Sequence, residues 1–362
     1  MKRIAVLGST GSIGTQALKF IGLHPDKFRV TALTGNTYRA LLAEQAARFK
    51  PAFTGVGEAA INASKSYDAD TVLIAVAGIA GLRAVLNAVK YKVKRIALAN
   101  KESIVAGGEL LLTEIRRAGT ELVPVDSEHS AVFQCLQGDK TRDVKRVILT
   151  ASGGPFLRRN PDTLDRATKA DVLKHPTFSM GAKITVDSAT MMNKGLEMIE
   201  AKRLFSLSDE QIEAVVHTQS IIHSMVEFTD GSHFAQMSYP DMEIPIAYAL
   251  TYPERLPTAM SARPLDFASL KALTFEPLSE KHFPCFALAK AAMRAEGVMP
   301  ASLIAADEEA VAAFLNGRIR FTQIYDIIDR VMNKIGNMTP QNFDDIFAAY
   351  DEAVSIARDV IK

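Results

Sequence analysis

The chain has 362 residues, of which 48% are hydrophobic, and its 42 basic and 41 acidic side chains leave a net charge of +1. This length predicts two or three domains, and the hydrophobic share is sufficient to build their cores. The near-neutral charge disfavours nucleic acid and anionic membranes as partners. The 2 cysteines fit neither a disulfide framework nor a zinc site.

The sequence carries no targeting or membrane signal that we recognise. Residues 1–8 form a strand pattern that leads directly into a glycine-rich loop, which is not typical of a signal or transit peptide. No apolar run reaches the length that a bilayer requires. Because a reducing compartment tolerates a chain with 2 cysteines, we expect a cytoplasmic protein that binds neither membranes nor nucleic acid.

Short apolar runs alternate with helical patterns in the N-terminal part of the chain. The predicted strands cover residues 3–7, 28–34, 71–76, 94–98 and 121–125, with a further short strand near 53–56. The predicted helices cover residues 13–23, 38–49, 81–89 and 103–118. Alternation of this kind favours a parallel sheet covered by helices.

A glycine-rich loop follows the first predicted strand. Gly8, Gly11 and Gly14 lie between that strand and the first predicted helix. Glycines let the backbone approach a pyrophosphate, and the helix N-terminus offers N–H groups to it. The spacing departs from the commoner Gly-x-Gly-x-x-Gly, and an ordinary tight turn is the alternative. The strand and helix around the loop favour a dinucleotide site.

The end of the second predicted strand indicates which dinucleotide is bound. An NAD site usually has an acidic residue there for the ribose 2′-hydroxyl. Residues 32–39 contain no acid, and Thr34, Asn36, Thr37 and Arg39 could instead bind a 2′-phosphate. We therefore predict NADPH, the alternative being that Arg39 only solvates the start of a helix.

The rest of the chain has a different pattern. Residues 144–150 predict a strand, and residues 221–228 and 232–237 flank an Asp-Gly turn that predicts a hairpin. The prolines of residues 252–264 indicate a linker. Helical patterns follow at 286–296, 303–315, 321–334 and 342–361. We expect Thr339 and Pro340 to cap the last of these helices.

Two carboxylates, Asp126 and Glu128, follow the predicted strand 121–125. If the extended geometry continues, both point to one face at the carboxyl end of the sheet, where they could bind Mg²⁺ or Mn²⁺. Alternatively, Asp126 caps a helix that begins near Ser127, and Glu128 adds first-turn charge. Lys101, after another strand end, could lower the pKa of a neighbouring carboxylate or be a plain surface lysine.

Hydroxyl, amide and ammonium groups are concentrated in residues 183–197. Ser188, Asn193 and Lys194 could bind a phosphate together with Ser152, and Glu197 could complete the metal set. Each of these donors alone is more often a turn or cap residue. His175 could donate to the same anion or be structural. Residues 160–182 predict a lid, whose apolar underside we assign to Phe178 and Met180.

The motifs together resemble one family, 1-deoxy-D-xylulose 5-phosphate reductoisomerase of the non-mevalonate isoprenoid pathway. The matching stretches are residues 8–14, 98–103, 124–129, 151–156, 183–197, 217–226, 237–242 and 264–267. The similarity covers almost the whole chain. The Asp-Ser-Glu piece at 126–128 and the Met-Met-Asn-Lys-Gly-Leu-Glu piece at 191–197 are highly specific.

The resemblance implies a role for each site residue. It implies Asp126, Glu128 and Glu197 as metal ligands, and these three together with Lys101 as the catalytic residues. It implies substrate contacts by Ser127, Glu128, Ser152, His175, Ser188, Asn193, Lys194 and Glu197. It implies cofactor contacts by Thr10, Gly11, Ser12, Ile13, Gly35, Asn36, Asn100, Lys101 and Gly181. The chain departs from the family at Phe178, where Trp is common, at Asn36, where a basic residue is common, and in a shorter segment at 51–70.

The resemblance also implies the fold and the reaction. We expect an α/β fold with an N-terminal Rossmann-like parallel sheet, a central α+β catalytic domain and a C-terminal helical bundle. The expected division is an NADPH-binding domain at 1–125, a catalytic domain at 126–251, a linker at 252–285 and a helical domain at 286–362. The implied enzyme is a homodimer that uses NADPH and Mg²⁺ or Mn²⁺. It rearranges a phosphosugar by retro-aldol cleavage and realdolisation and then reduces the aldehyde.

Two other functions compete with this one. Another NADP-dependent dehydrogenase, acting on a small phosphorylated or acidic substrate, would not need a metal site with three carboxylates. A non-catalytic protein that senses the cofactor would bind NADPH and tolerate replacement of Glu128 and Glu197.

Overall fold

The computed structural model describes residues 1–137, 143–174 and 180–362. These residues form two compact units. The first unit comprises Met1–Ile104, Gly108–Gln134 and Asp241–Asp266, and the second comprises Val105–Gly107, Cys135–Pro240 and Phe267–Lys362. The functional division predicted at residues 125, 251 and 285 stays a prediction.

The strands and helices are labelled in chain order. The strands are β1 Lys2–Leu7, β2 Phe28–Gly35, β3 Phe53–Val56, β4 Thr71–Ile74, β5 Arg95–Leu98, β6 Glu121–Pro124, β7 Val144–Ala151, β8 Ile212–Val216, β9 Ile222–Phe228, β10 His233–Met237 and β11 Glu276–Pro277. The helices are α1 Ser12–Leu23, α2 Arg39–Phe49, α3 Gly57–Asn62, α4 Ala80–Lys90, α5 Lys101–Ala118, α6 Ser127–Cys135, α7 Lys169–Val172, α8 Ala182–Thr190, α9 Met192–Leu204, α10 Glu243–Thr251, α11 Phe267–Leu270, α12 Pro284–Ala295, α13 Met299–Leu315, α14 Gln323–Lys334 and α15 Phe343–Ile361.

The first unit is built on a 6-stranded sheet in the order β3-β2-β1-β4-β5-β6. All the strand pairs in it are parallel. This is the strand order of a Rossmann fold, and the predicted Rossmann-like sheet is confirmed. The residues of β4 are all buried, as expected for a strand covered by helices on both faces.

A helix from a later part of the chain completes the core of the first unit. Ile246, Ala249 and Leu250 of α10 are buried in one apolar cluster with Ile4 of β1 and Phe20 of α1. The helix is apolar around most of its circumference, which is typical of a fully buried helix. α10 was not predicted from the sequence.

The second unit contains a 5-stranded sheet in the order β10-β9-β7-β8-β11. β9 and β10 pair antiparallel, which confirms the predicted hairpin. Asp230 accepts a hydrogen bond from the backbone N–H of Ser232 at 2.9 Å, and Gly231 has a φ of 86°. Both features close the turn that the Asp-Gly pair predicts. β8 pairs parallel with β7 and was not predicted from the sequence.

The four predicted C-terminal helices are present as α12 to α15. One detail of the prediction is wrong, because Thr339 and Pro340 do not cap α15. Asn342 does so, accepting from the backbone N–H of Asp345 at 3.1 Å, while the Asp345 carboxylate accepts from the backbone N–H of Asn342 at 3.3 Å. This reciprocal capping box satisfies two N–H groups at once.

The segment predicted as a lid is described in part. It contains a 3-10 helix at Pro161–Arg166 and the short helix α7, which Thr168 and Asp171 cap reciprocally. His175 and Phe178 lie outside the described residues. Met180 is half-buried and directly precedes Gly181, which is the N-cap of α8. The lid itself stays a prediction. In the described parts of the chain, no helix is both long and apolar enough to span a bilayer.

Candidate active site

The glycine-rich loop between β1 and α1 brings helix and strand into close contact. A Cβ on Gly14 would lie 2.3 Å from the carbonyl oxygen of Gly8. Gly8 itself has a φ of 85°, and a Cβ there would lie 2.3 Å from the carbonyl oxygen of Ala75. Any larger residue would push the helix away from the sheet. The close packing holds the N-terminus of α1 at the carboxyl edge of β1.

Buried hydrogen bonds fix the shape of this loop. The Ser9 hydroxyl donates to Gln45 Oε1 at 2.7 Å, and Gln45 Nε2 donates back to the Ser9 carbonyl at 2.9 Å. The backbone N–H groups of Gly8 and Ser9 both donate to the Thr34 carbonyl, at 3.1 and 2.8 Å. These bonds tie the loop to the end of β2 and to α2. No side chain among the described residues caps α1, so its first N–H groups are available to an anion.

The end of β2 lies beside the loop and then turns to solvent. A Cβ on Gly35 would lie 3.1 Å from the Thr10 hydroxyl oxygen, so Thr10 and Gly35 are neighbours. Of the four residues considered for a 2′-phosphate, Asn36, Thr37 and Arg39 are exposed, whereas Thr34 is buried. Polar groups within reach of water suit a charged ligand group. The 2′-phosphate contact stays a prediction.

Asn100 is occupied by structural hydrogen bonds. Its Oδ1 accepts from the Ser103 backbone N–H at 2.9 Å, which caps α5, and its Nδ2 donates to the Gly78 carbonyl at 3.0 Å. The residue is 3% exposed. Asn100 therefore holds the loop after β4 against the start of α5. Its predicted cofactor contact stays a prediction.

Asp126 lies between β6 and α6 and is the centre of a charged cluster. One carboxylate oxygen accepts from Lys101 Nζ at 2.8 Å, and the other is 2.9 Å from His129 Nδ1. Burial by itself would raise the pKa of Asp126. The charges and hydrogen bonds of Lys101 and His129 outweigh burial and hold that pKa well below its usual range. Asp126 is thus a carboxylate, not an acid, at neutral pH.

Of the two alternatives left open for Asp126 and Glu128, the structure has the helix cap and not the extended segment. β6 ends at Pro124 and α6 begins at Ser127. The backbone N–H of Glu128 donates to Asp126 Oδ1 at 3.1 Å, which is the capping alternative. The Ser127 hydroxyl donates to Glu128 Oε2 at 2.6 Å, so two of the residues that the resemblance assigned to substrate are in contact.

His129 belongs to this cluster although the sequence analysis did not select it. Its ring is completely buried and contacts Asp126, which lies three positions earlier, just before α6. The signal in the sequence was the spacing, since residues three apart in the first turn of a helix face each other. The contact between His129 and Asp126 follows only if the helix begins directly after Asp126.

In the second unit, the loop that carries Ser152 lies against the backbone of Ser188 through Gly154. The Ser152 hydroxyl accepts from the Gly154 backbone N–H at 3.3 Å. Gly154 has a φ of 65°, and a Cβ there would lie 2.5 Å from the Ser188 carbonyl oxygen. The loop after β7 therefore lies directly against α8. Gly181, at the start of α8, is exposed, and its carbonyl accepts from the Thr185 hydroxyl at 2.8 Å.

Asn193, Lys194 and Glu197 form a buried group on α9. Lys194 Nζ and Asn193 Nδ2 both donate to the Glu197 carboxylate. Lys194 is 4% exposed and Glu197 is 1% exposed. A Cβ on Gly195 would lie 2.3 Å from the Cβ of Ala289, so α9 packs tightly on α12. The donors predicted for phosphate and the carboxylate predicted for metal are thus in direct contact.

Three family profiles match the chain. One described as 1-deoxy-D-xylulose 5-phosphate reductoisomerase matches residues 4–62 and 54–108, and one described as its C-terminal domain matches residues 122–205. A third, described as DXP reductoisomerase C-terminal domain, matches residues 237–356. Together these profiles extend over most of the chain.

Curated relatives and solved structures agree with the profiles. The 1-deoxy-D-xylulose 5-phosphate reductoisomerase of Geobacter metallireducens is 47% identical over 96% of each chain. That of Bacteroides fragilis is 46% identical over 99% of this chain and 98% of its own.

The structure of the Zymomonas mobilis reductoisomerase in complex with NADPH has a TM-score of 0.91 and is 38% identical over 100% of this chain and 99% of its own. A reductoisomerase in complex with NADPH, fosmidomycin and magnesium has a TM-score of 0.91 and is 36% identical over 100% of this chain and 98% of its own. The resemblance seen in the sequence is confirmed, and the chain belongs to the 1-deoxy-D-xylulose 5-phosphate reductoisomerase family.

Proposed function

We propose that this oxidoreductase converts 1-deoxy-D-xylulose 5-phosphate to 2-C-methyl-D-erythritol 4-phosphate, with NADPH and Mg²⁺ or Mn²⁺, in isoprenoid precursor synthesis. The observation that carries the proposal is the match over the whole chain to a reductoisomerase that holds NADPH, fosmidomycin and magnesium. The reaction is a skeletal rearrangement, by retro-aldol cleavage and realdolisation, followed by reduction of the aldehyde.

NADPH fits the glycine-rich loop of the first unit. Because Gly8 and Gly14 have no side chain, α1 can begin close to β1. The N-terminus of α1 has no side-chain cap among the described residues. We assign the pyrophosphate to the backbone of Thr10, Gly11, Ser12 and Ile13. Gly35, Asn36, Asn100, Lys101 and Gly181 stay proposed contacts further along the cofactor.

We assign a hard divalent cation to the carboxylates Asp126, Glu128 and Glu197, as the resemblance implies. Oxygen ligands are those that Mg²⁺ and Mn²⁺ prefer, and Asp126 is held in its charged form. In this assignment Lys101 and His129 hold the Asp126 carboxylate in its orientation by hydrogen bonds, as residues around metal ligands commonly do. When bound, the cation polarises the substrate oxygens and NADPH supplies the hydride.

The substrate phosphate is assigned to Ser152, Ser188, Asn193 and Lys194, with Ser127 and His175 as further substrate contacts. An ammonium has three N–H donors, so Lys194 can keep its contact with Glu197 and still bind a phosphate oxygen. The hydroxyl of Ser188 lies on the helix that packs against the Ser152 loop. These groups bind and orient the phosphate end, and the predicted lid residues Phe178 and Met180 would exclude water.

The assay follows NADPH oxidation by absorbance with purified protein, 1-deoxy-D-xylulose 5-phosphate and Mg²⁺. We expect oxidation that stops with EDTA and returns with Mg²⁺ or Mn²⁺. Turnover that EDTA does not affect would favour the other dehydrogenase class. Binding of NADPH without turnover would favour the cofactor-sensing alternative.

Two further expectations concern the state of the protein. A homodimer is proposed, and sedimentation equilibrium of the purified chain measures its mass directly. The cytoplasmic location is also a proposal, which fractionation of the native cells tests.

A further inference from the structure

A buried ion cluster connects α8 to the C-terminal helices. Lys183 Nζ donates to Asp187 Oδ2 at 2.6 Å and to Asp307 Oδ2 at 2.7 Å. Asp187 lies one turn along α8, whereas Asp307 lies on α13. The Asp187 side chain is 4% exposed and that of Asp307 is 0% exposed. None of these residues was selected in the sequence analysis or has a part in the proposed reaction.

The cluster is not explained by stability alone. A buried ion pair often contributes little net stability, because the desolvation of its charges offsets their attraction. Here two carboxylates share one ammonium, and Asp307 Oδ1 has no hydrogen-bond partner among the described residues. The same two carboxylates also act on the pKa of the buried thiol of Cys285 on α12. Its pKa is raised well above the usual value, first by burial and then by Asp307, Asp187 and Asp326.

The cluster holds the helix that carries Ser188. Ser188 directly follows Asp187, and its carbonyl faces the backbone of Gly154. α8 is therefore held from two directions, by the Gly154 backbone near one end and by Asp307 through Lys183 near the other. Because α8 has 9 residues, a shift at Lys183 is transmitted to Ser188 through little more than one turn.

We propose that Asp307 is a positioning residue for the phosphate site, which it aligns by holding α8 through Lys183. The proposal rests on the assignment of Ser188 to the substrate phosphate. The hydrogen bond to Lys183 is the essential feature, and the full negative charge is not. An asparagine at this position should therefore keep the phosphate site aligned, whereas an apolar residue of similar size should not.

The test compares three variants of α13 with the wild type. Asp307→Leu removes the acceptor, Asp307→Asn keeps it, and Glu308→Gln is the matched control. Glu308 is the next residue on the same helix and accepts a hydrogen bond from the Tyr350 hydroxyl of α15, so its replacement perturbs α13 at its contact with α15. The measurements are KM and kcat for 1-deoxy-D-xylulose 5-phosphate, KM for NADPH, and the Kd of inorganic phosphate from thermal shifts.

Asp307→Leu should raise the substrate KM and the phosphate Kd about fivefold or more, since displacements of about 1 Å are costly to a binding site. The NADPH KM should stay within about twofold, as should every constant of Asp307→Asn and Glu308→Gln. A phosphate Kd for Asp307→Leu within twofold of the wild type would overturn the proposal. So would an Asp307→Asn variant as impaired as Asp307→Leu.

Two additions keep the test decisive. If Asp307→Leu does not fold, Lys183→Met breaks the same contact from its more exposed end, where the lysine side chain is 32% exposed. It should raise the phosphate Kd in the same way, and an unchanged Kd would refute the positioning role. If the wild type does not turn over the phosphosugar, the proposed function fails, whereas the phosphate Kd still decides the role of Asp307.

Discussion

Replacing His223 with glutamine should make the protein less sensitive to acid. His223 lies on β9, is 4% exposed and contacts the Ser238 hydroxyl at 3.0 Å through Nε2. Burial lowers the pKa of His223 from 6.5 to about 4, and the charge of Lys194 acts in the same direction. The folded protein therefore keeps this ring neutral at pH values where an unfolded chain would protonate it.

The sign and size of the effect follow from the two pKa values. Between pH 6.5 and about 4, the unfolded chain binds a proton at His223 that the folded chain does not. The free energy of unfolding therefore falls as the pH falls through this window, by roughly 3 kcal/mol in total. Above pH 6.5 the contribution is complete and constant. Glutamine keeps a polar group near Ser238 and does not titrate.

The assay is urea unfolding of the wild type and His223→Gln at several pH values from about 7.5 to 4.5. We expect the variant to be less stable at neutral pH and to lose roughly 1 kcal/mol less per pH unit on acidification. His233→Gln is the matched control, because this histidine is 48% exposed on β10. Parallel pH curves for the wild type and His223→Gln would refute the reasoning, because they would mean that folding does not change proton binding at this ring.

Three substitutions test the site itself. Glu197→Gln should abolish turnover and leave NADPH binding near normal, since Glu197 lies on α9 and not in the glycine-rich loop; full activity would remove it from the mechanism. Lys194→Ala should mainly raise the substrate KM, and an unchanged KM would count against its phosphate contact. Gly14→Ala should lower stability by about 1–3 kcal/mol and weaken NADPH binding, because its Cβ would meet the Gly8 carbonyl at 2.3 Å. Gly11→Ala should cost less stability, since its Cβ would lie 3.4 Å from that atom, and equal losses in the two alanine variants would contradict the packing argument.

The first unit shows why part of the fold can be predicted from the sequence. Each buried parallel strand is a short apolar run, and each connecting helix has its own apolar face, so the periodicity changes wherever the element changes. The strand at Phe53–Val56 was predicted only weakly because its residues alternate between half-buried and exposed at the edge of the sheet. α10 was missed because it joins this core from a distant part of the chain, and such a contact leaves no local pattern.

The site around Asp126 was predicted in composition but not in geometry. Local sequence could not decide between an extended segment and a helix N-terminus after β6, because Asp and Ser suit both. The choice matters, because only the helical geometry places His129 against Asp126. For Lys101 the sequence left two alternatives open, and the structure favours the one in which it lowers the pKa of a neighbouring carboxylate, since both residues follow strands of the same parallel sheet.

The contact between Lys194 and Glu197 changes how their proposed roles should be understood. In the sequence they appear as separate groups, one for a phosphate and one for a metal ion. In the structure they lie three residues apart on α9, buried and in contact, so each charge stabilises the other in a poorly hydrated place. Replacing either residue therefore disturbs the other, and a substrate KM measured for Lys194→Ala includes any change in how Glu197 is held. The Mg²⁺ dependence of that variant separates the two contributions, because a pure phosphate contact would leave the Mg²⁺ requirement unchanged.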